Sequence, residues 1–413
     1  MDGGRKTRAA RPVEAEVLIV GAGMVGMTLA AALAGAGLSV VVIDRADPAA
    51  MADDGFDGRA SAIAHGSQQA LAGIGLWLYL RADAQPILDI RVSDGPSRLF
   101  LHYDHRALGD VPMGYMVENR HTRRGLAALA ATLSDLTVLA PVGLAGLTRD
   151  AAGVTATLSD GRRIKAALAV AADGRDSRLR AQAGIPVTAW DYPQTGIVCS
   201  VNHDRPHRGV AHERFLPAGP FAVLPLTGDR SSLVWTERAA LAPAMMALDD
   251  AAFGAEIERR FGDHYGRMRP AGGRWAYPLG LVHADRYVDR RLVLVGDAAH
   301  AIHPIAGQGL NMGLRDVAAL AEVLVDARRL GLDAGDHAVL QRYERWRRFD
   351  NVLLMMVTDG LNRLFSNDVA PLRLARDVGL ALVDRAAPLK QLFMRHAMGL
   401  VGDLPRLVRG EAL

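Results

Sequence analysis

The chain has 413 residues, half of them hydrophobic, and a formal net charge of +3 from 48 Lys and Arg against 45 Asp and Glu. This length supports two or three substructures around sizeable cores, and the composition excludes a disordered chain. The basic charge is arginine spread along the chain, with Lys6, Lys165 and Lys390 as the lysines, so no clustered stripe points to nucleic acid; a single cysteine, Cys199, excludes an intrachain disulfide framework, a cysteine-rich metal site and a redox-active cysteine pair.

Residues 1–14 are polar and basic and read as a loose tail. Glu16 to Val20 reads as a short apolar strand, followed by Gly21-Ala22-Gly23-Met24-Val25-Gly26 and a helical run to about Gly35. A second strand, Ser39 to Ile43, ends in Asp44-Arg45. This is a dinucleotide fingerprint in its required setting of strand, glycine turn, helix, strand and acid. Gly21 permits the tight turn, Gly23 lets backbone approach a pyrophosphate, Gly26 permits close helix–strand packing, and Asp44 can take ribose hydroxyls. Val17 to Ile43 carries no charge and by length alone could span a membrane, but the glycines at fingerprint positions argue against that. The expected location is cytoplasmic.

Asp57-Gly58-Arg59-Ala60-Ser61 precedes a helix expected through Gln69 to Trp77. Residues 87–105 alternate apolar and polar and read as a hairpin. Tyr115 to Arg120 leads into an alanine-rich helix, Arg123 to Leu133. Strands follow near Val138, at Gly143–Thr148 and at Val154–Leu158, with a turn at Asp160-Gly161. A strand at Ala167–Ala171 runs into Asp173-Gly174. Residues 186–275 change character, with strands at Thr195–Asn202, His212–Leu216, Phe221–Pro225 and Ser231–Thr236 and one helix from Asp249 to Phe261; Cys199 reads as a buried strand residue.

Residues 292–316 organise the rest. Leu292 to Val295 reads as a buried strand that stops at Gly296-Asp297. Pro304, Gly307 and Gly309 then open a helix from Leu310 to about Leu330. A carboxylate at a strand end thus stands near a glycine-rich helix start, whose bare N–H groups stabilise negative charge. Such a place suits a group with hydroxyls and a charge-accepting ring. Residues 340–413 read as helical. From Leu389 on, Leu392, Phe393, Leu400 and Leu404 alternate with Lys390, Arg395, Arg406 and Arg409, a pattern that suits either a packed terminal helix or an anionic membrane surface. No metal-ligand spacing, Walker loop or nucleophile elbow is present.

Together, the Gly21–Gly26 turn, the stretch Ala172-Asp173-Gly174-Arg175-Asp176-Ser177-Arg178-Leu179-Arg180 and the stretch His303–Asp316 resemble the FAD-dependent aromatic-ring hydroxylases, the family of para-hydroxybenzoate hydroxylase. The match is closest to its ubiquinone-biosynthesis branch. The resemblance implies an α/β fold with an α+β insert: a Rossmann-like FAD-binding domain of the glutathione-reductase type, an inserted mixed-sheet substrate domain and C-terminal helices. The implied divisions are 1–185 and 276–340 for the FAD domain, with the hairpin at about 87–105 joining the substrate domain, 186–275 for the substrate sheet, and 341–413 for the helices.

The resemblance further implies FAD contacts at Gly21, Ala22, Gly23, Val25, Gly26, Asp44, Arg45, Arg59, Arg120, Asp173, Gly174, Arg180, Gly296, Asp297, Pro304, Gly307, Gln308, Gly309, Leu310 and Asn311. Asp173 and Arg180 would serve the nicotinamide donor too. It implies NADH or NADPH, or a protein carrier, as reductant, O2 as co-substrate, and a flavin C4a-hydroperoxide that hydroxylates a polyprenylated phenol. Other quinone-biosynthesis proteins and a membrane surface are the remaining expected partners. No catalytic base is identified; His65, His300 and His303 are candidates by position alone. A soluble phenolic acid as substrate, a non-catalytic flavoprotein role, and a prenyl-chain reductase or halogenase are the competing readings.

Overall fold

The computed structural model describes residues 12–51, 53, 58–95, 97 and 99–413. Most of the expected tail, and Asp57, lie outside these residues; Val13 and Glu14 already belong to the first strand, Val13–Val20.

The first body is a sheet in the order Val288–Asp289, Leu292–Leu294, Arg163–Ala171, Val13–Val20, Val40–Ile43, Leu136–Leu139. Its four central pairings are parallel. Parallel strands covered on both faces read as continuous apolar runs, and Val17 to Ile19, Val40 to Ile43 and Leu292 to Leu294 are all buried. The helices Met24–Gly35 and Gln308–Arg329 pack with this sheet in one core. Val154–Leu158 and Leu144–Arg149 extend Arg163–Ala171 as an antiparallel ribbon.

The second body is an eight-stranded sheet: His300–Ala301, Met268–Ala284, Val187–His203, Arg230–Arg238, Gly219–Leu226, Val210–Leu216, Asp89–Asp94, Phe100–Asp104. The hairpin expected at 87–105 is its edge, and it joins Val210–Leu216 in parallel. Two strands are much longer than the sequence suggested. Val187–His203 starts eight residues before the expected strand, and Met268–Ala284 was not anticipated at all. Pro270, Gly272, Gly273 and Pro278 disguise the latter, since proline and glycine usually mark bulges or edges. The register between these two strands does shift, between Cys199 and Ser200 and between Asp191 and Thr195. The expected division at 275/276 falls inside the Met268–Ala284 strand.

One face of this sheet, formed by Ile197, Cys199, Phe221, Val223, Leu233 and Trp235, is sealed by the Asp250–Phe261 helix. The other face turns toward the first body. A small third sheet, Ala60–Ala64, Gly114–Glu118 and Gln85–Ile87, stands between them. The helix expected through Trp77 is interrupted: His65–Gly73 ends before Gly75, whose φ of +82° breaks the run, and Trp77–Leu80 restarts it. The C-terminal helices are His337–Phe365, Ala370–Arg385 and Ala387–Ala397. Beyond them, Leu407 and Val408 return to the core beside Ala70 and Ala318.

Candidate active site

Gly21 has φ +117°, and a Cβ there would lie 2.2 Å from the Ala172 carbonyl oxygen. A Cβ on Gly26 would lie 2.0 Å from the Gly21 oxygen. Both glycines are therefore demanded by packing. Gly23 differs, because a Cβ there would meet nothing within 4 Å. It opens onto free space at the start of the Met24–Gly35 helix, which has no side-chain cap and no acid in its first turn. Uncapped N–H groups facing open space form an anion site. Asp44 Oδ2 accepts the Ala22 N–H at 2.6 Å and Oδ1 the Ala46 N–H at 2.8 Å, which leaves lone pairs for ribose hydroxyls. Arg45 is exposed beside it. An apolar cavity of about 310 Å³ adjoins the turn, lined by Ala22, Met24, Met27, Leu126, Ala130 and Val138 among others, and suits a flat heteroaromatic ring.

Asp173 follows the Arg163–Ala171 strand. Its Oδ2 accepts the Arg178 and Leu179 N–H groups at 2.9 and 3.3 Å, while Oδ1 is buried with no partner. Gly174, at φ +87°, again faces open space. Arg180 is buried, and its guanidinium donates to the Ala298 oxygen at 2.9 Å and the Arg175 oxygen at 2.8 Å. It ties the Asp173 turn to the Asp297 turn.

At Gly296 (φ +58°) the chain turns into the short Gly296–Ala298 helix. Val25 fills the space that Cβ atoms on Gly296 and Gly313 would occupy, at 3.1 and 2.7 Å, and so locks the two glycine turns together. Asp297 is solvent-accessible, yet desolvation pushes its carboxyl up while His300, Arg175 and Arg59 pull it back down. It accepts no hydrogen bond from a described residue.

Pro304 leads into the Ile305–Gly307 turn, and Gly307 (φ +61°) starts the Gln308–Arg329 helix, again without a side-chain cap or a first-turn acid. Gln308 is buried, Leu310 packs on the central core, and Gly309 faces open space. Asn311 spends its side chain on backbone: Oδ1 accepts from Ala64 at 2.9 Å, and Nδ2 donates to the Ala62 and Gly307 oxygens at 2.7 and 3.1 Å. It stitches the Ala60–Ala64 strand to the turn. Arg59 precedes that strand, its guanidinium 5.1 Å from the Tyr277 ring centre. Arg120 is half-buried and bonds Glu118 at 3.2 Å. His121, then Arg230 and Arg120, hold the Glu118 carboxyl well below its ordinary range against the opposing effect of burial.

Asp316, fully buried, was not read as a site residue although it closes the His303–Asp316 stretch. Oδ2 takes His300 Nε2 at 2.5 Å and the Gly296 N–H at 3.1 Å; Oδ1 takes Arg347 Nε at 3.0 Å and Asn351 Nδ2 at 3.2 Å. This hub fixes the turn that presents Asp297, so His300 is a support and not a free base. His303 is fully buried with both ring nitrogens unpartnered, packed edge-on against Tyr192, and burial pushes its pKa down to about 4. His65 is half-buried, and burial lowers its pKa too.

A family model for an FAD binding domain matches residues 14–350. The chain is 58% identical over 402 residues to the ubiquinone hydroxylase UbiL of Rhodospirillum rubrum, spanning 97% of this chain and 94% of that protein. The chain belongs to the FAD-dependent aromatic-ring hydroxylases, in their ubiquinone-biosynthesis branch. It is also 38% identical over 387 residues to the 3-demethoxyubiquinol 3-hydroxylase of Escherichia coli, covering 93% and 98% of the two chains. Among solved structures, p-nitrophenol 4-monooxygenase PnpA from Pseudomonas putida superimposes with a TM-score of 0.79 at 20% identity, over 94% of this chain and 99% of that one, which establishes the shared fold.

The residues of this FAD-dependent hydroxylase fit the cofactor. Two uncapped helix starts, three glycines facing open space, the unpartnered Asp297 carboxylate and the orphaned Asp173 Oδ1 are the groups that such a ligand would satisfy. A buried polar atom without a partner is costly unless a ligand satisfies it.

Proposed function

We propose that this protein hydroxylates the aromatic ring of a polyprenylated phenol in ubiquinone biosynthesis, using FAD, O2, and NADH or NADPH or a protein electron carrier. The observation that carries the reading is the pair of uncapped helix starts at Met24 and Gln308 with the accessible Asp297 carboxylate between them in the chain. Bound flavin would supply the oxygen-activating redox chemistry there. The chain's own residues do the rest. Gly23 and the Met24–Gly35 helix start take the pyrophosphate, Asp44 the adenosine ribose, and Asp297 the ribityl hydroxyls. The N–H groups opening the Gln308–Arg329 helix stabilise negative charge on the reduced ring. Val198, Ala222, Leu224 and Val234 present an apolar wall that seats a ring with a greasy tail and excludes water.

In a strain lacking this protein, mass spectrometry of lipid extracts should show a prenylated phenol short of at least one ring hydroxyl, and its structure would name the ring position. A normal quinone profile would remove the pathway assignment.

The route of such a substrate is a membrane. No described helix is long and apolar enough to cross one, but the C-terminal helices expose Phe349, Met356, Leu382, Leu389, Leu392 and Phe393, with Arg363, Arg385 and Arg395 nearby. We infer peripheral docking through this surface, which begins well before the Leu389 expected from the sequence. The variant Leu382→Glu/Leu392→Glu/Phe393→Glu should lose co-flotation with anionic vesicles at least tenfold while keeping its flavin. Unchanged flotation would transfer the surface to a protein partner of the pathway.

A further inference from the structure

Glu213 lies in the Val210–Leu216 strand, directly across from Val92 on one side and Ala222 on the other. Strand neighbours alternate faces. His212 packs on the sealed face against Phe261 and Tyr265, so Glu213 points the other way, with Ala211 and Phe215. Both of these residues lead to the flavin segment. Ala211 clusters with Ala62, whose carbonyl Asn311 holds. Phe215 clusters with Ile305 of the Ile305–Gly307 turn. The carboxylate is thus bracketed, on the apolar wall, opposite the place where the flavin ring would sit. It has no hydrogen-bond or ion-pair partner among the described residues.

We propose that Glu213 is a catalytic carboxylate that accepts the hydrogen bond of the substrate phenol and takes its proton as the ring is attacked. The inference rests on the phenol-hydroxylase reading above. The phenol O–H bond breaks and a Glu213 Oε–H bond forms. The electron pair left on oxygen is released into the ring, which makes the ortho and para carbons nucleophilic; one of them forms the C–O bond as the peroxide-level donor's O–O bond breaks, and the oxygen left on the donor keeps that bond's electron pair and takes a proton from solvent. When the hydroxylated ring regains aromaticity, its C–H proton leaves to solvent, that bond's electrons return to the ring, and Glu213 gives its proton back to the ring oxygen. A base is most useful when it titrates near working pH, and desolvation pushes this carboxyl up to about 7.

The charged groups on the elements packed against it face away or are engaged elsewhere. Arg91 and Arg214 share the opposite face with His212. On the near face Asp94 is locked to Arg376 at 2.6 Å, the Tyr103 hydroxyl is pushed up to about 12 by burial, and His303 of the flavin segment sits near 4. Gly219–Leu226 contributes no titratable side chain. From the Ala370–Arg385 helix, Asp384 is engaged by Lys390 and the His102 N–H. A carboxylate on this wall also disfavours a phenolic acid, whose own negative charge it would repel.

The test uses oxidised FAD-loaded protein and 2-farnesylphenol. Without reductant, wild-type Kd should tighten roughly tenfold as pH rises through about 7, because a hydrogen bond to an ionised acceptor is about twice as strong as a neutral one. Glu213→Gln should bind the phenol with a flat pH profile. With reductant, its kcat should fall about 100-fold, while KM rises by no more than the roughly tenfold difference in binding. Glu213→Asp should keep the pH step and recover part of kcat. A Glu213→Gln protein with the wild-type pH step and turnover overturns the role and leaves the hydroxylase standing, as does a flat wild-type profile. A wild type that neither binds nor hydroxylates the phenol overturns the substrate reading along with it.

Discussion

Asp316→Ala should cost about 3–5 kcal/mol of folding stability, because it leaves the Arg347 guanidinium, 1% exposed, with only the partly exposed Asp350 as a carboxylate partner and strips His300 of its own. The loss should appear as a lower urea midpoint with an unchanged m-value. It should also loosen FAD, since the Gly296 N–H loses its acceptor beside Asp297. The pH dependence carries a sign. Burial alone would raise the Asp316 carboxyl, but His300, Arg347 and Asn351 outweigh it and hold the pKa well below the ordinary range. A depressed folded pKa gives stability that is fully present above the unfolded value of about 3.9 and is lost as pH falls through the folded one. Wild-type stability from this source should therefore be flat above pH of about 4 and decline below it, and the variant should lack that decline. A loss under about 1 kcal/mol would mean that Asp316 is not the hub the geometry describes.

Asp297→Ala should act on the cofactor and spare the fold. The carboxylate has no internal partner and sits against a desolvation cost, so the apo protein should unfold at the same denaturant concentration or a slightly higher one. Hydrogen bonds to a charged group contribute about 1.5–3 kcal/mol, so the FAD Kd should rise roughly 10- to 150-fold and the protein should purify largely colourless. Asp297→Asn, which keeps the shape and one acceptor, should fall between. Full yellow occupancy of the alanine variant would remove the role.

The two substitutions also mark what the sequence could and could not disclose. Asp297, Asp44, Asp173 and the glycines around them follow from local chain geometry. Each acid ends a strand, and a turn that tight or a backbone approach that close needs glycine at a fixed offset. Asp316 is different, because its partners Arg347 and Asn351 come from another helix and their pairing exists only after the helices pack. Arg180 was legible as a residue, but nothing local says that its guanidinium meets the Ala298 carbonyl. Glu213 was invisible for the opposite reason. Within His212-Glu213-Arg214 it reads as one charge in an ordinary polar run, and its isolation appears only when the sheet shows which way it faces. The Met268–Ala284 strand was lost to its prolines and glycines, which local propensity scores as loop and tertiary pairing overrides.

That strand acts as a ruler. One end is paired to His300 and Ala301, next to the Asp297 turn; its middle pairs Tyr277 with Gly196 and Trp275 with Val198 on the substrate wall. At about 3.3 Å per residue, the backbone from Tyr277 to His283 sets a span of about 20 Å between wall and turn. Deleting a single residue there would do more than shorten it. Every side chain beyond the deletion would change faces, turning Tyr277 and Trp275 away from the face that carries Val198 or unpairing His283 from His300. The reach from oxidant to ring is thus set by a residue count.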